Sequence, residues 1–414
     1  MNSLTDSIID SKDSSTITSM TEVLDRSFID TMQEASIIRM TDSDDTYGLQ
    51  LFCYENCDKL DSERVKQSRG VVFSGDTLVM KAFPYTEEIR FADVQEGRYA
   101  DMDLSQCRFY PSYEGMLIRM FYYGDKWFVS THRKLNAFRS KWSSKVSFGE
   151  NFVKCLQKEY ENNDSFINAV RDTPEDLSIL ERFQSILDKT KQYMFLLLNN
   201  EDNRIVCVPD TKGPGMYHVG TFDSTSLLPV EADIHIVKPL EFEHKYSTIR
   251  DVYEHAQTLN YTWYQGIIIF SPDNKQYKVL NTNYEFFFNV RGNEPSIKFR
   301  YLQIRNNEEY TRTLREMYPE MESSFDMYEN YIRLISKEIF DAYAKRFMFV
   351  KKTFVSVSQE EYVIVKACHG WHLQDRKRNI VSLKKVYEEM NKASPSLVNK
   401  MIRNRIQKEK KMKL

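Results

Sequence analysis

The chain's 414 residues leave room for two or three domains, and 41% hydrophobic against 28% charged residues is the balance of a globular protein with ordinary cores. No run of about eighteen apolar residues occurs and the N-terminus lacks a basic-then-apolar signal, so neither a membrane-spanning helix nor secretion is expected, and the chain reads as intracellular. The formal net charge of −3 conceals an asymmetry: Asp6, Asp10, Asp13, Asp25, Asp30, Asp42, Asp44 and Asp45 crowd the beginning, whereas Arg403, Arg405, Lys408, Lys410, Lys411 and Lys413 close the chain.

Residues 1–20 are rich in Ser, Thr and Asp without periodicity, and a disordered acidic tail is expected over 1–30. From Tyr47 the pattern changes. Leu49, Leu51 and Cys53 alternate, and Gly70-Val71-Val72-Phe73 leads through Gly75-Asp76 into Leu78-Val79-Met80, a strand–turn–strand unit. A second hairpin runs from Met116 to Tyr123, turns at Gly124-Asp125 and returns over Trp127 to Thr131. Residues 143–191 switch to helical spacing. Phe148, Phe152, Cys155 and Leu156 can share a face there, and Thr173-Pro174-Glu175-Asp176 has the form of a helix start. Strands resume over 193–198, 204–208 and 215–222, and 265–270 with 276–280 form a third hairpin around a Pro-Asp-Asn turn. Helical spacing then covers 306–317, 322–350, 359–372, 381–391 and 395–411, with Pro319 separating the first two. The expected architecture is α+β: a strand-rich domain over 31–298 with a helical insert at about 143–191, then an all-helical C-terminal domain over 299–414.

Several features invite chemical readings. Cys368-His369 with His372 offers three possible metal ligands, but no second Cys pair lies near, and packed polar groups at a helix end explain it more simply. Gly213-Pro214-Gly215 lacks the Lys-Ser/Thr of a phosphate loop and reads as a turn. Glu320 and Glu322 suit the positive end of a helix dipole. The six cysteines have no metal-like pairing and read as reduced thiols. The 25 Tyr and 26 Phe fill strands and cores, or present a surface on which bases stack. Arg376, Lys377, Arg378, Lys384 and Lys385, with Arg403 and Arg405, either meet a phosphate backbone of RNA or DNA or form a solvated helix face.

Four segments in order resemble the motifs of T4-type RNA ligases. Gln67-Ser68-Arg69-Gly70-Val71-Val72-Phe73 followed by Lys81-Ala82-Phe83-Pro84 is similar to the family's "ECRGIMF…RPxxKFFN" stretch. Tyr113-Glu114-Gly115-Met116-Leu117 resembles motif I, "KxDGSL", and Asn203-Arg204-Ile205-Val206 the "NRIV" that follows motif III. Gln265-Gly266-Ile267-Ile268 and Tyr277-Lys278-Val279-Leu280 resemble motifs IV and V, "EGxV…FKxK". Together they span about 47–290. The run His369-Gly370-Trp371-His372 with 376–379 also resembles the immediate-early protein family of iridoviruses and related large DNA viruses, for which host cytoplasm or nucleus is the implied compartment.

The ligase resemblance implies an antiparallel-sheet nucleotidyltransferase domain, ATP-grasp-like, in which a lysine attacks the α-phosphate of ATP. Such a step needs a neutral amine at a fixed place, cations around the phosphates, and carboxylates that hold metal. The resemblance puts that lysine at Ser112, and no lysine lies between Lys81 and Lys126. The motif III acid falls among Phe195-Leu196-Leu197-Leu198, Gln265 replaces the motif IV glutamate, Leu280 replaces the second motif V lysine, and Glu87 or Glu88 stands where a lysine should follow Pro84. His132, the nearest histidine in sequence to Ser112 and so its candidate base, reads better as an ordinary core or surface residue. Marks of fold remain and marks of reaction are gone. The expectation is a non-catalytic homologue without cofactor, with Arg69, Glu114, Gln265 and Lys278 lining a remnant nucleotide pocket and nucleic acid or a protein as partner. The alternative is an active enzyme, using ATP and Mg²⁺, with its nucleophile relocated to a lysine such as Lys278.

Overall fold

The computed structural model describes residues 24–412 apart from positions 82, 201, 211, 214, 244, 350 and 352. Asp6, Asp10, Asp13, Pro214 and Lys413 therefore lie outside the described residues. Packed structure begins earlier than residue 31: α1 (Arg26–Glu34) is capped by the Asp25 carboxylate, which accepts from Phe28 N at 2.8 Å, and Leu24 and Ile29 are buried against Phe52, Val71 and Phe73. The first sheet, in the order β1 (Ile38–Asp44), β2 (Leu49–Tyr54), β3 (Val71–Ser74) and β4 (Thr77–Met80), is antiparallel, with α2 (Glu63–Gln67) between its second and third strands.

Next come β5 (Thr86–Ile89), α3 (Phe91–Gln95), β6 (Arg108–Ser112), and the hairpin of β7 (Gly115–Tyr123) with β8 (Lys126–Ser130). The insert supplies α4 (Phe148–Asn162), α5 (Asp164–Val170) and α6 (Ile179–Ile186). The helix expected from Thr173 starts instead at Ile179, because Ser178 and Glu181 form the reciprocal cap that residues 173–176 do not. Then follow β9 (Lys191–Leu198), β10 (Met216–Asp223), β11 (Pro229–Val230), α7 (Ile249–Thr258), β12 (Gly266–Phe270) and β13 (Gln276–Leu280).

These strands build two further sheets. The order β11-β10-β9-β7-β8 is antiparallel throughout; β5-β13-β12-β6 is antiparallel except for the parallel pair β5–β13. The five-stranded sheet is covered on both faces, and its alternating residues divide accordingly. Ile118, Met120 and Phe195 pack on Phe152, Leu156 and Phe183 of the insert, while Phe121, Phe128 and Met194 pack on Leu49, Leu51 and Val72 of the first sheet.

From Thr282 onward the chain is helical, earlier than residue 299: α8 (Thr282–Arg291), α9 (Ile297–Ile304), α10 (Glu308–Met317), α11 (Glu322–Tyr343), α12 (Gln359–Gln374), α13 (Leu383–Lys392) and α14 (Pro395–Met412). The helix expected over 322–350 is α-helical only to Tyr343 and widens into a π turn over Ala344–Met348. Ile332, Ile335 and Ile339 give α11 one buried face, against which α12, α13 and α14 pack. Among the described residues no helix is long and apolar enough to cross a membrane.

Candidate functional site

Strand alternation places Tyr110 and Ser112 of β6, Ile268 of β12, and Gln276 and Lys278 of β13 on one face of the four-stranded sheet, while Phe109, Ile267, Ile269 and Val279 turn the other way into a core with α7. Gly115 and Leu117 of β7, Leu196 of β9 and Val219–Phe222 of β10 face them from the five-stranded sheet. Between the two sheets lies a cavity of about 390 Å³, within the range of small-molecule sites. Arg69, Ser112, Gly115, Gln265 and Lys278 all line it, so motifs far apart in sequence converge on one cleft.

Glu114 does not line it. Its buried carboxylate turns away and accepts from Asn199 Nδ2 (2.7 Å), from the backbone N–H groups of Ile205 (2.8 Å), Val206 (2.9 Å) and Cys207 (3.3 Å), and from the Tyr284 hydroxyl (3.1 Å). The strand expected over 204–208 is therefore an irregular loop, since its donors are already taken by a carboxylate. From the helical side Tyr318 donates its hydroxyl to the carbonyls of Arg204 (2.9 Å) and Ile205 (2.6 Å) and accepts from Arg291 Nε (3.0 Å). Arg204 in turn donates to Met317 O. The 203–207 loop is thus a clasp between the sheets and the helices, and Glu114 is its anchor rather than a ligand group. No motif marks Tyr284, Arg291 or Tyr318 in the sequence, because their partners lie 27 to 170 residues away.

Gly115 and Gly266, the glycines of the two motif-like turns, have backbone reasons. A Cβ on Gly115 would sit 2.2 Å from Leu197 O, and one on Gly266, whose φ is +147°, would sit 2.0 Å from Val279 O. Gln265 also has a local reason. Its side-chain amide donates to Tyr113 O at 3.2 Å, and a glutamate could not.

Ser112, where the resemblance puts a nucleophile, is buried, and its register row runs Ser112–Gly266–Leu280. Leu280 occupies that row's end, packed with Val206, Cys207 and Tyr284 in an apolar cluster. His132 is not among the cavity-lining residues. Burial, with Arg69, Arg119 and Arg133 nearby, holds its imidazole down to about 3, so it is neutral. Arg119 is fully buried and ties the strands together by donating to Gly70 O, Thr131 O (2.6 Å) and Ser130 Oγ (3.3 Å).

The cleft keeps cations. Arg69 donates to Pro84 O at 3.3 Å. Lys278 pairs in register with Glu88 and Ile268, and its amine makes no hydrogen bond or ion pair among the described residues. Burial pushes that amine below its ordinary value, opposed by the negative charge of Glu88. A depressed lysine penalises folding below its folded-state pKa, and the penalty fades as pH rises toward the ordinary value of about 10.4. Lys278→Met is accordingly expected to stabilise the chain by on the order of 1 kcal/mol at pH 7, with the gain shrinking above pH 10. Urea midpoints at the two pH values check this; a loss of stability at both would show that Lys278 has a favourable partner.

The carboxylates that face the cleft are already engaged. Glu241 binds Arg108 (3.0 Å) and the Tyr110 hydroxyl (3.0 Å), and Glu231 binds Lys238 (2.9 Å). With Glu114 diverted and leucines over 196–198, the residues present do not fit a catalytic metal, nor a covalently bound nucleotide at Ser112.

The C-terminal basic residues divide. Lys385 is buried against Trp371 (4.4 Å) and paired with Glu389 (2.8 Å), and Arg405 is bound by Glu409 (3.0 Å) and Glu338. Arg376, Lys377, Arg378, Lys384 and Arg403 are exposed, of which only Arg378 has an acidic partner among the described residues, Asp375 at 3.8 Å. Cys368 is buried in the helical core, His369 contacts the Tyr343 hydroxyl (3.3 Å), and His372 Nδ1 bonds to Asn379 O (2.7 Å), so the three diverge. Among the described residues no three side chains are grouped to hold a metal ion.

No protein-family model matches the chain. Solved structures with partial likeness include a putative ATP-dependent DNA ligase from Aquifex aeolicus (TM-score 0.38, 12% identity, 77% of this chain and 79% of that one) and an archaeal ATP-dependent RNA ligase (TM-score 0.37, 13% identity, 75% and 79%). Likeness of that degree is too loose to carry fold or chemistry across. In sequence the chain is 31% identical over 293 residues to an immediate-early protein ICP-46 homolog of Invertebrate iridescent virus 3, covering 69% of this chain but 61% of that protein. It is 27% identical over 381 residues to the homolog of Invertebrate iridescent virus 6, covering 86% and 81%, and 27% identical over 247 residues to the immediate-early protein ICP-46 of Frog virus 3, covering 57% and 58%. The chain is thus similar to the immediate-early ICP-46 proteins of iridoviruses.

Proposed function

We propose that this chain is a non-catalytic, RNA-ligase-like viral early protein that keeps the nucleotidyltransferase cleft without its covalent chemistry and acts by binding nucleic acid. The observation that carries the reading is the row Ser112–Gly266–Leu280. Where the resemblance puts a nucleophilic lysine and a second phosphate-binding lysine, the chain has a hydroxyl and a buried leucine. A serine cannot form the phosphoramidate, and among the described residues no hydrogen bond joins its hydroxyl to a histidine or carboxylate. Arg69 and Lys278 leave the cleft positive, which suits a phosphate held without reaction.

Fluorescence anisotropy with short RNA and DNA tests the binding half. Affinity is expected to fall between 50 and 200 mM salt, as phosphate neutralisation requires, while millimolar ATP with Mg²⁺ leaves the unfolding temperature unchanged. A chain that binds neither RNA nor DNA at low salt contradicts the proposal.

One observation favours a second reading. Among the described residues the Lys278 amine has no hydrogen-bond or ion-pair partner, burial pushes it below its ordinary value, and it lines the cleft, which are the properties of a relocated nucleophile. If an enzyme–nucleotide adduct forms at all, Lys278→Ala is expected to abolish it.

A further inference from the structure

Away from the cleft, one stretch of the helical region combines free cations with exposed rings. Between Asp341 and Glu360 the sequence carries Lys345, Arg346, Lys351 and Lys352 and no acidic residue. The chain leaves α11 there through the π turn, a departure from α geometry that recurs at functional positions. Bonds from Phe349 N to Ala344 O (3.0 Å) and from Thr353 N to Lys345 O (3.0 Å) hold Phe349 and Thr353 close to the helix end.

The segment presents what a core would normally bury. Phe349 is 55% exposed and Phe354 75%. The Arg346 guanidinium lies 4.5 Å from the centre of the Phe354 ring and 5.8 Å from that of Tyr362, which is itself 48% exposed. Spacing puts Lys366 one turn beyond Tyr362 on the same face of α12. Among the described residues Lys345, Arg346, Lys351 and Lys366 enter no ion pair, whereas Lys385, Lys392, Lys400 and Arg405 are all bound to carboxylates. The acids next to Tyr362 are both engaged, Glu360 by Lys400 (2.6 Å) and Glu361 by the Ser358 backbone N–H (2.9 Å), so rings alternating with unneutralised cations complement a polyanion that also offers flat apolar faces. Single-stranded nucleic acid does so; a duplex hides its base faces in the stack.

We propose that the strip from Lys345 to Tyr362 is a binding surface for single-stranded nucleic acid. Phe349, Phe354 and Tyr362 stack on unpaired bases, and Lys345, Arg346 and Lys351 neutralise the phosphates between them. The inference rests on the nucleic-acid reading above and narrows it to one place and one strand type.

The test uses the full chain with a fluorescent oligouridylate of about 20 nucleotides and a duplex of equal length. Phe349→Ala with Phe354→Ala is expected to weaken single-strand binding roughly tenfold or more while leaving the duplex unaffected; both rings are exposed, so the fold does not depend on them. Arg346→Ala with Lys351→Ala is expected to reduce the slope of log affinity against log salt by about 1.4. A wild-type chain that binds neither probe overturns the nucleic-acid reading as a whole. Wild-type binding that the ring substitutions leave intact overturns this surface alone. Ring-dependent binding to phosphatidylcholine–phosphatidylserine vesicles without binding to the oligonucleotide would make the strip a membrane contact, and also overturns it.

Discussion

Replacing Glu114 with alanine is expected to lower stability by about 4 kcal/mol or more. The substitution strands the backbone N–H groups of Ile205, Val206 and Cys207 and the Tyr284 hydroxyl, all donors that the carboxylate now satisfies. Each buried donor left without an acceptor costs about 1–3 kcal/mol. Water entering the space left by the side chain recovers part of that sum. Glu114→Gln keeps one acceptor oxygen but turns an amide N–H toward other donors, so an intermediate loss is expected. Urea unfolding followed by tryptophan fluorescence measures both. A Glu114→Ala loss below about 1 kcal/mol would mean that the clasp does not depend on this residue. Because the loop also bonds to Tyr318, the variant is further expected to loosen the helices from the sheets, seen as two transitions where the wild type has one.

Gly266→Ala is the second large effect. Its Cβ would lie 2.0 Å from Val279 O and 3.0 Å from Asn281 N, both backbone atoms that cannot step aside without breaking the β12–β13 pair. A loss above about 4 kcal/mol is expected, enough to prevent soluble expression of a marginally stable chain. Gly75→Ala is the control. Gly75 has a left-handed φ of +57° but nothing within 4 Å of the added carbon, so only the conformational cost of about 1 kcal/mol applies. Similar losses for the two would show that backbone conformation, not the close approach of β13, is what Gly266 serves.

Both residues bear on what the sequence could and could not disclose. The hairpins over 116–131 and 265–280 were legible, because alternation and tight-turn residues are local signals. The convergence of Arg69, Ser112, Gln265 and Lys278 on one cavity followed from motif order. What Glu114 does was not legible. An acid beside a motif glycine looks the same whether it faces a ligand or turns back to hold a loop, and the deciding partners lie far along the chain at 205–207 and 284. The 204–208 segment looked like a strand for the same reason: its composition suits one, but its N–H groups are spent on Glu114. The helix α7 had a readable signal, Thr248 and Asp251 as a reciprocal cap with Ile249, Val252 and Ala256 on one face. The helix α8 had end signals, Asn281 as N-cap and Gly292 after its last turn, but no one-sided periodicity. It is apolar on more than one side because it packs against the sheet cluster through Tyr284 and against the helical cluster through Val290.

A serine at position 112, where the ligase resemblance puts the nucleophilic lysine, matters only if no other group does that lysine's work. The most direct measurement is incubation of the purified chain with α-labelled ATP, and separately GTP, in Mg²⁺ or Mn²⁺, followed by denaturing electrophoresis beside an active ligase. No covalent label is expected on this chain while the ligase is labelled. A label that survives denaturation would contradict that expectation, and its disappearance in Lys278→Ala would place the surviving chemistry on that lysine.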